Sequence, residues 1–351
     1  MTNTPPHSEV AIVGGGPIGL ELGVALQRAG VSFQILEAGT IGNTIAWWAP
    51  QTRWFSSNER ISIASVPLLT IDQSKATREQ YLNYLRGVVS QFDLPIRTFC
   101  RVQSIETAGN ALQLISSCHD QTVTYTAKNV VLAIGGTDFN RTLGIPGEQL
   151  PHVDGYLRET HRYHGRRVLI VGGRNSAVEA ALRLHHVGAH VTLCHRGPSI
   201  PEDGIKYWLL PEINGLIRTG RIEAYFNCQP ERITEQSVDL KRHDGELITV
   251  DCEDVLTLIG YGQDKTLLRN AGVELIGETQ RPMFDPQTMQ TNVPGIYVAG
   301  TAIAGTQTSH YKTFLENCHD HVDRIVADLT GGNYSESEPE FMKQIEALPE
   351  S

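Results

Sequence analysis

Residues 9–38 read EVAIVGGGPIGLELGVALQRAGVSFQILEA, and the rest of the chain is organised around them. An apolar run leads into a glycine turn, an amphipathic helix, a second apolar run and a terminal carboxylate. Gly14, Gly16 and Gly19 keep the G-x-G-x-x-G spacing. The first glycine permits a tight turn out of a strand, the second lets backbone approach a pyrophosphate, and the third lets the helix pack closely on the sheet. Pro17 suits the first helical turn, where its missing N–H is not needed. Ile18, Leu22, Ala25 and Leu26 recur at helical spacing, so one face can lie on a sheet. The helix then offers its unpaired N–H groups and positive dipole end to phosphates. Glu37 follows Gly14 by 23 residues, where a carboxylate can accept hydrogen bonds from ribose hydroxyls. Strand, turn, helix and acid together predict a dinucleotide cradle.

A chain of 351 residues suggests about two domains. Hydrophobic residues make up 40% and charged residues 19%, the profile of a globular protein rather than a disordered one. Acidic residues number 39 against 29 basic, for a formal charge of −10. That balance argues against nucleic acid or an anionic membrane as a partner. No apolar run reaches the ~18 residues of a membrane span. MTNTPPHSE at the start lacks the basic region and apolar core of a signal peptide. The six cysteines show no C-x-x-C pair and read as reduced thiols, so a cytoplasmic location is expected.

After Glu37 comes GTIGNTIAWWAPQTRWFSSNERISIASVP, an aperiodic stretch holding Trp47, Trp48 and Trp54. A long irregular segment inside a compact domain is usually functional. Thr77 opens TREQYLNYLRGVVSQFD, a helix with a Thr-x-x-Gln capping box and Leu82, Leu85, Val88 and Val89 along one stripe. Short strands follow, and the section closes at Val130–Gly136, VVLAIGG, a buried strand ending in glycines.

The opening pattern then repeats. Residues 167–196 read RVLIVGGRNSAVEAALRLHHVGAHVTLCHR: strand, glycine turn, helix, strand. Gly172 takes the place of Gly14, and Ala177 that of the third glycine, as the G-x-G-x-x-G/A form allows. Arg174 stands at the second glycine's position, pointing away from the phosphates or towards them as a cation. His195 follows Gly172 by 23 residues, so His195 and Arg196 stand where the first copy has its acid. An acid bonds free ribose hydroxyls and repels a 2′-phosphate, whereas a cationic pair accommodates one. The first site therefore fits the adenosine of FAD and the second fits NADPH over NADH. Asp254–Tyr261, DVLTLIGY, closes the second unit as VVLAIGG closes the first. A last strand at Gly295–Ala299 runs to Gly300, and a loop leads to a long helix with Phe314, Leu315, Cys318, Val322, Ile325 and Val326 on its apolar side. The histidine pairs His161/His164 and His185/His186, and the run Cys318–His321, lack the paired spacing of a metal site and read as solvated helix faces. No metal is expected.

Taken together, these segments resemble the two-dinucleotide flavoprotein reductases, the broad class of thioredoxin reductase. TNVPGIYVAG at 291–300 matches the family's late segment that returns to the flavin. A narrower resemblance is to the bacillithiol-disulfide-reductase-like branch. It rests on the first glycine turn, NTIAWWAPQTRWFSS, KATREQYLNYLRGVV, GGRNSAVEAALRL, KYWLLPEI and FLEN. The resemblance implies an α/β fold of two Rossmann-like, three-layer (ββα) domains. An FAD domain would span 1–155 and 263–332, an NADPH domain 156–262, and an acidic tail 333–351. Candidate cofactor-binding residues are Gly14, Gly16, Pro17, Ile18, Gly19, Glu37, Ala38, Asn43, Thr44, Val102, Ala133, Gly135, Gly300 and Thr301 in the first part. In the second they are Gly172, Gly173, Arg174, Asn175, Ser176, Ala177, His195, Arg196 and Gly260.

Two departures from the family bear on chemistry. The thioredoxin reductases carry a C-x-x-C dithiol in the NADPH domain, and this chain has none. The bacillithiol branch carries a cysteine directly after the first glycine turn, where this chain has Ile18; a thiolate attacks disulfides and an isoleucine cannot. Thr301 also replaces an Asp that holds the ribityl chain in many relatives. Amides around Gly305–Ser309, at the start of the last helix, would stabilise charge on the reduced flavin, with Trp47, Trp48, His310 and Tyr311 lining the pocket. No catalytic acid or base is assigned. The implied activity is NADPH oxidation through FAD, with electrons passing to a small disulfide, quinone or similar acceptor. Ferredoxin reduction and flavin-dependent monooxygenation are the alternatives, and a homo-oligomer is expected.

Overall fold

The computed structural model describes residues 7–306 and 313–332. It divides into two units: residues up to Trp47, with Gln51–Asp138 and the chain from Gly262 onward, and Trp48–Pro50 with Phe139–Tyr261.

The first unit contains β1 (His7–Val13), α1 (Pro17–Arg28), β2 (Phe33–Leu36), α2 (Asn43–Ala46), α3 (Arg78–Phe92), β3 (Ile96–Arg97), β4 (Cys100–Ala108), β5 (Ala111–Cys118) and β6 (Gln121–Leu132). Its sheet runs β3-β2-β1-β6-β5-β4, and the strand Ile296–Val298 pairs with β6. β6 joins two kinds of sheet. It pairs antiparallel with β5 and parallel with both β1 and Ile296–Val298. Val130, Val131 and Leu132 at its parallel end are fully buried, as expected of a strand covered on both faces.

α3 carries the expected capping box, the Gln80 N–H donating to Thr77 Oγ1 at 3.3 Å and the Thr77 N–H to Gln80 Oε1 at 2.8 Å. Its fully buried stripe is Tyr81, Leu85 and Val88. Leu82 and Val89 are only half-buried, because Tyr81, packed on Trp54 with ring centroids 4.5 Å apart, turns the helix face. Towards the C-terminus lie α6 (Thr266–Asn270) and α7 (His319–Leu329), the latter preceded by a 3-10 turn at Leu315–Asn317. The expected single long helix is thus broken ahead of Cys318. Leu315, Cys318, Val322, Ile325 and Val326 are buried as expected, but Phe314 is exposed.

The second unit repeats the plan with β7 (Phe139–Asn140), β8 (Val153–Asp154), β9 (Arg167–Val171), α4 (Asn175–His186), β10 (His190–His195), α5 (Leu210–Arg218), β11 (Glu223–Phe226), β12 (Cys228–Ile233), β13 (Ser237–Arg242), β14 (Leu247–Asp251) and β15 (Asp254–Thr257). A parallel sheet runs β11-β10-β9-β15-β8, and β12-β13-β14 form an antiparallel meander. The unit starts earlier than the expected residue 156. β8 pairs in parallel with β15, Val153 beside Val255, and this short strand draws 139–155 into the second unit. A two-residue strand carries no periodicity by which a sequence could announce it.

The cysteines also depart from expectation. Cys194, Cys228, Cys252 and Cys318 are free and buried, but Cys100 and Cys118 are joined in a disulfide. They stand opposite one another at the first register position of β4 and β5. Sequence spacing alone does not reveal a cross-strand register. Among the described residues, no helix is long and apolar enough to cross a membrane.

Candidate dinucleotide sites

At the first glycine turn, two of the glycines answer to the protein's own atoms. Gly14 has φ +116°, and a Cβ there would lie 2.3 Å from the Ala133 carbonyl oxygen. A Cβ at Gly19 would lie 2.0 Å from the Gly14 carbonyl oxygen. Gly16 is different. Its φ of −80° suits any residue, and a Cβ there would meet nothing within 4 Å. The open space faces the start of α1, which no side chain caps. An uncapped helix N-terminus beside a bare backbone is the geometry a pyrophosphate needs.

Glu37 lies behind this turn, 7% exposed. Its Oε2 accepts from the Gly15 N–H and its Oε1 from the Gly39 N–H, both at 2.6 Å. Burial raises its pKa, against the two amide bonds and the Arg101 charge that lower it. The carboxylate is held rigidly at the strand end, with lone pairs remaining for hydroxyl donors. Ala38 is half-buried beside it, and Asn43 opens α2 with its Oδ1 accepting from Thr40. Thr44 follows Asn43 in α2, and Val102 is buried on β4.

A third segment closes the first unit. Gly135, with φ +77°, ends the segment after β6, and the Gln263 side-chain amide donates to its carbonyl and to that of Ala302, each at 3.0 Å. The Gly300 N–H donates to His321 Nδ1 at 3.1 Å. His321 is 5% exposed, and burial lowers its pKa and keeps the ring neutral to accept that bond. Thr301 presses its carbonyl on Gly136, whose Cβ would come within 2.8 Å. Ile18 is buried under Gly300, its atoms 3.3–3.6 Å from where a Gly300 Cβ would lie. Sequence reasoning passed over Gln263 and placed His321 on a solvated face. His319 is misplaced in the same way, since its Nδ1 meets Glu21 Oε2 at 2.8 Å and its Nε2 the Arg60 carbonyl at 3.1 Å. The segment 307–312, with His310 and Tyr311, lies outside the described residues. The amides expected around Gly305–Ser309 fall largely in that segment too, and the described helix α7 starts at His319. Trp47 groups with the first unit and Trp48 with the second.

The second glycine turn follows the same backbone. Gly172 has φ +147°, and a Cβ would lie 2.4 Å from the Leu258 carbonyl oxygen and 2.9 Å from Ala177 Cβ. A Cβ on Gly173 would lie 2.3 Å from His195 Nδ1. The His195 ring therefore fills the place that the Glu37 side chain fills behind Gly15. Burial, then Arg196, then Arg174, lower the His195 pKa. The ring's charged form is thus disfavoured, which corrects the expected His195–Arg196 cationic pair, and Arg174 adds a second guanidinium charge to that of Arg196 near the ring. Arg174 occupies the N-cap of α4 in an extended conformation (φ −110°), so its backbone matches that of Gly16. Both arginines are exposed. Asn175 is turned away from the helix end, its Oδ1 accepting from the Lys206 N–H at 2.7 Å and its Nδ2 donating to Gly204. Ser176 bonds the Tyr261 side chain, and Gly260, with φ +103°, accepts from the Arg141 N–H.

A family model described as pyridine nucleotide-disulphide oxidoreductase matches residues 11–300. The chain belongs to this family. It is 36% identical over 323 residues to bacilliredoxin reductase Bdr of Bacillus subtilis (strain 168), covering 92% of this chain and 98% of the relative. The solved bacillithiol disulfide reductase Bdr from Bacillus cereus matches with a TM-score of 0.87 at 35% identity, covering 93% of this chain and 99% of that one. A ferredoxin–NADP reductase of Thermus thermophilus is 28% identical over 309 residues, covering 85% of each chain. The resemblance read from the motifs is therefore borne out. The family's activity makes the protein an NADPH-dependent flavoprotein oxidoreductase with FAD and NADPH as cofactors. The open space at Gly16, the uncapped start of α1 and the fixed Glu37 carboxylate fit such a dinucleotide.

Proposed function

We propose that this oxidoreductase passes electrons from NADPH to a low-molecular-weight disulfide or quinone, without a cysteine at the position after its first glycine turn. When bound, FAD and NADPH supply the hydride and electron transfer. Glu37 accepts from the ribose hydroxyls of FAD, and the backbone at Gly16 and the start of α1 takes the pyrophosphate. Gln263 and His321 hold Gly135 and Gly300 in place. In the second unit, Arg196 and Arg174 take the 2′-phosphate of NADPH, and neutral His195 fixes the turn between them. We assign the FAD role to the first unit, the NADPH role to the second, and a cytoplasmic location to the protein.

The observation that carries the acceptor reading is Ile18. It is 5% exposed and packed under Gly300, so it offers no thiolate there and closes that spot with hydrocarbon. The free cysteines do not replace it: all four are buried, and burial raises each thiol pKa, that of Cys194 to about 12 and that of Cys252 to about 11.

The test is an anaerobic mix of the flavin-loaded protein with NADPH, followed by a small disulfide, a quinone or a ferredoxin in turn. The flavin's visible absorbance should bleach with NADPH and return with the disulfide or quinone. Return with ferredoxin alone would replace this reading with the electron-transfer one. An Ile18→Cys variant should gain a disulfide reduction that alkylation blocks, whereas the natural protein's rate, with Cys100–Cys118 oxidised, should not depend on alkylation.

A further inference from the structure

The bridged corner at Cys100 and Cys118 is bonded directly to the first cradle. The Cys100 N–H donates to the Glu37 carbonyl at 2.8 Å, and the Phe99 N–H to the Gly39 carbonyl at 3.0 Å. In return the Glu37 N–H donates to the Arg97 carbonyl at 2.8 Å. The strand end that carries Glu37 is thus laced to the bridged Cys100 and to Arg97 and Phe99 just before it. The other partner is tied in through the His119 N–H, which donates to the Phe99 carbonyl at 3.2 Å. The two residues differ in access: Cys100 is 1% exposed, whereas Cys118 is half-buried at the end of β5. The buried Tyr125 hydroxyl lies 3.7 Å from Cys100 Sγ and 3.8 Å from Cys118 Sγ.

We propose that Cys100–Cys118 is an exchange site for low-molecular-weight thiols and disulfides, and that its oxidation state sets how firmly the adenosine end of FAD is held. The coupling rests on the reading of Glu37 as the ribose acceptor. A thiolate attacks Cys118 Sγ, which belongs to the less buried of the two residues. The Cys100–Cys118 bond breaks, a mixed disulfide forms on Cys118, and Cys100 leaves as a thiolate to which the Tyr125 hydroxyl donates. A second thiolate attacks the sulfur of the first and releases a small disulfide. In sum, two thiols are oxidised to one disulfide while the protein pair takes up two electrons and two protons. The same steps in reverse let an oxidised small disulfide restore the bridge. With the bridge closed, the end of the β4–β5 hairpin is fixed covalently and Cys100 holds the Glu37 carbonyl in place. With it open, that end is held by hydrogen bonds alone, and the ordering of Glu37 must be supplied when FAD binds. In the cytoplasm proposed above, a bond of this kind is exchanged rather than permanent.

The experiment equilibrates the holoenzyme in reduced or oxidised glutathione, quenches it with N-ethylmaleimide and reads the protein mass. The reduced sample should carry one further alkylated pair, mapping to Cys100 and Cys118. FAD release on dilution, read as the rise in flavin fluorescence, should be about tenfold faster in the reduced sample, at the low end of the constraint a bridge provides. Cys118→Ser should release FAD at the fast rate in both buffers. A thiol count that does not follow the buffer overturns the exchange site, and equal release rates overturn the coupling. Glu37→Ala, measured with the pair oxidised, isolates the ribose reading. Unchanged release in that variant removes the Glu37 role, whereas faster release there combined with equal release rates of the natural protein in the two glutathione buffers removes only the switch.

Discussion

The two glycine turns of this protein share one backbone and divide its constraints differently. In both, the first glycine has a positive φ, with its would-be Cβ facing a carbonyl of the unit's closing segment, Ala133 in one and Leu258 in the other. In both, the residue after it gives up its side chain to whatever stands at the end of the second strand: Glu37 behind Gly15 and His195 behind Gly173. The copies part at the third and sixth positions of the motif's spacing. Gly16 faces Arg174, and Gly19 faces Ala177. The difference separates glycines that meet the protein's own atoms from one, Gly16, that meets none within 4 Å.

The largest expected effect tests the fold side of that comparison. Gly19→Ala would bring a Cβ within 2.0 Å of the Gly14 carbonyl oxygen. We expect it to lower stability by ~3 kcal/mol, the upper range for overpacking. Ala177→Gly in the second turn should lose only about 1 kcal/mol of helix propensity. Urea denaturation of the two variants compares them, and equal losses would break the contrast.

Gly16→Val comes next. No protein atom lies within 4 Å of its Cβ position, so the denaturation midpoint should hold while FAD affinity falls by about 100-fold, or ~2.7 kcal/mol. A fall in stability with FAD still bound would show that the fold, not the ligand, requires this glycine.

At the far end of the turns, Arg196→Gln should raise the KM for NADPH about tenfold, as loss of one charge-assisted phosphate contact does. The KM for NADH should stay constant. Equal changes for both would remove the 2′-phosphate role. His195→Gln should change either KM by less than about twofold, since the neutral ring contributes position rather than charge.

The pH response sharpens the same contrast with a smaller effect. Burial raises the Glu37 pKa above its ordinary 4.5, so the folded empty protein holds this proton to a higher pH than the unfolded chain. Ionised Glu37 therefore subtracts from stability as pH rises from 4.5 through the folded value. Ribose hydroxyls need the carboxylate, so FAD affinity should move the other way and strengthen over that interval. His195 has a lowered pKa. The window lies below 6.5, so its charging should leave NADPH binding flat above neutrality. FAD affinity measured by fluorescence across the acid range, beside the same series for Glu37→Gln, reads the first. An identical pH slope in the variant would show that Glu37 is not the titrating group.

Much of this was legible in residue order because it depends on contacts between near neighbours. A strand, a turn and a helix within a few dozen residues fix one another's geometry, so both cradles, the Thr77–Gln80 capping box and the repeat could be read directly. Residues whose partners lie far along the chain were misread. His321 looked like a solvated helix residue, yet it accepts from the Gly300 N–H. Gln263 carried no motif, yet it bridges two carbonyls 128 and 39 residues away. His195 was read as a cation from its neighbour Arg196, whereas its burial lowers its pKa and disfavours the charge.

The sequence by itself determined that this is a two-cradle α/β oxidoreductase, which turn carries an acid and which carries arginines, and that Ile18 stands where the bacillithiol-type relatives are implied to carry a cysteine. Those facts live in spacing and residue type. Only the tertiary structure decided that the second unit begins near residue 139, that Gly16 faces open space and that Cys100 meets Cys118 behind Glu37. Each depends on which strands pair and in what register. Pairing register and burial are set by the packing of the whole sheet, and no local window of residues encodes them.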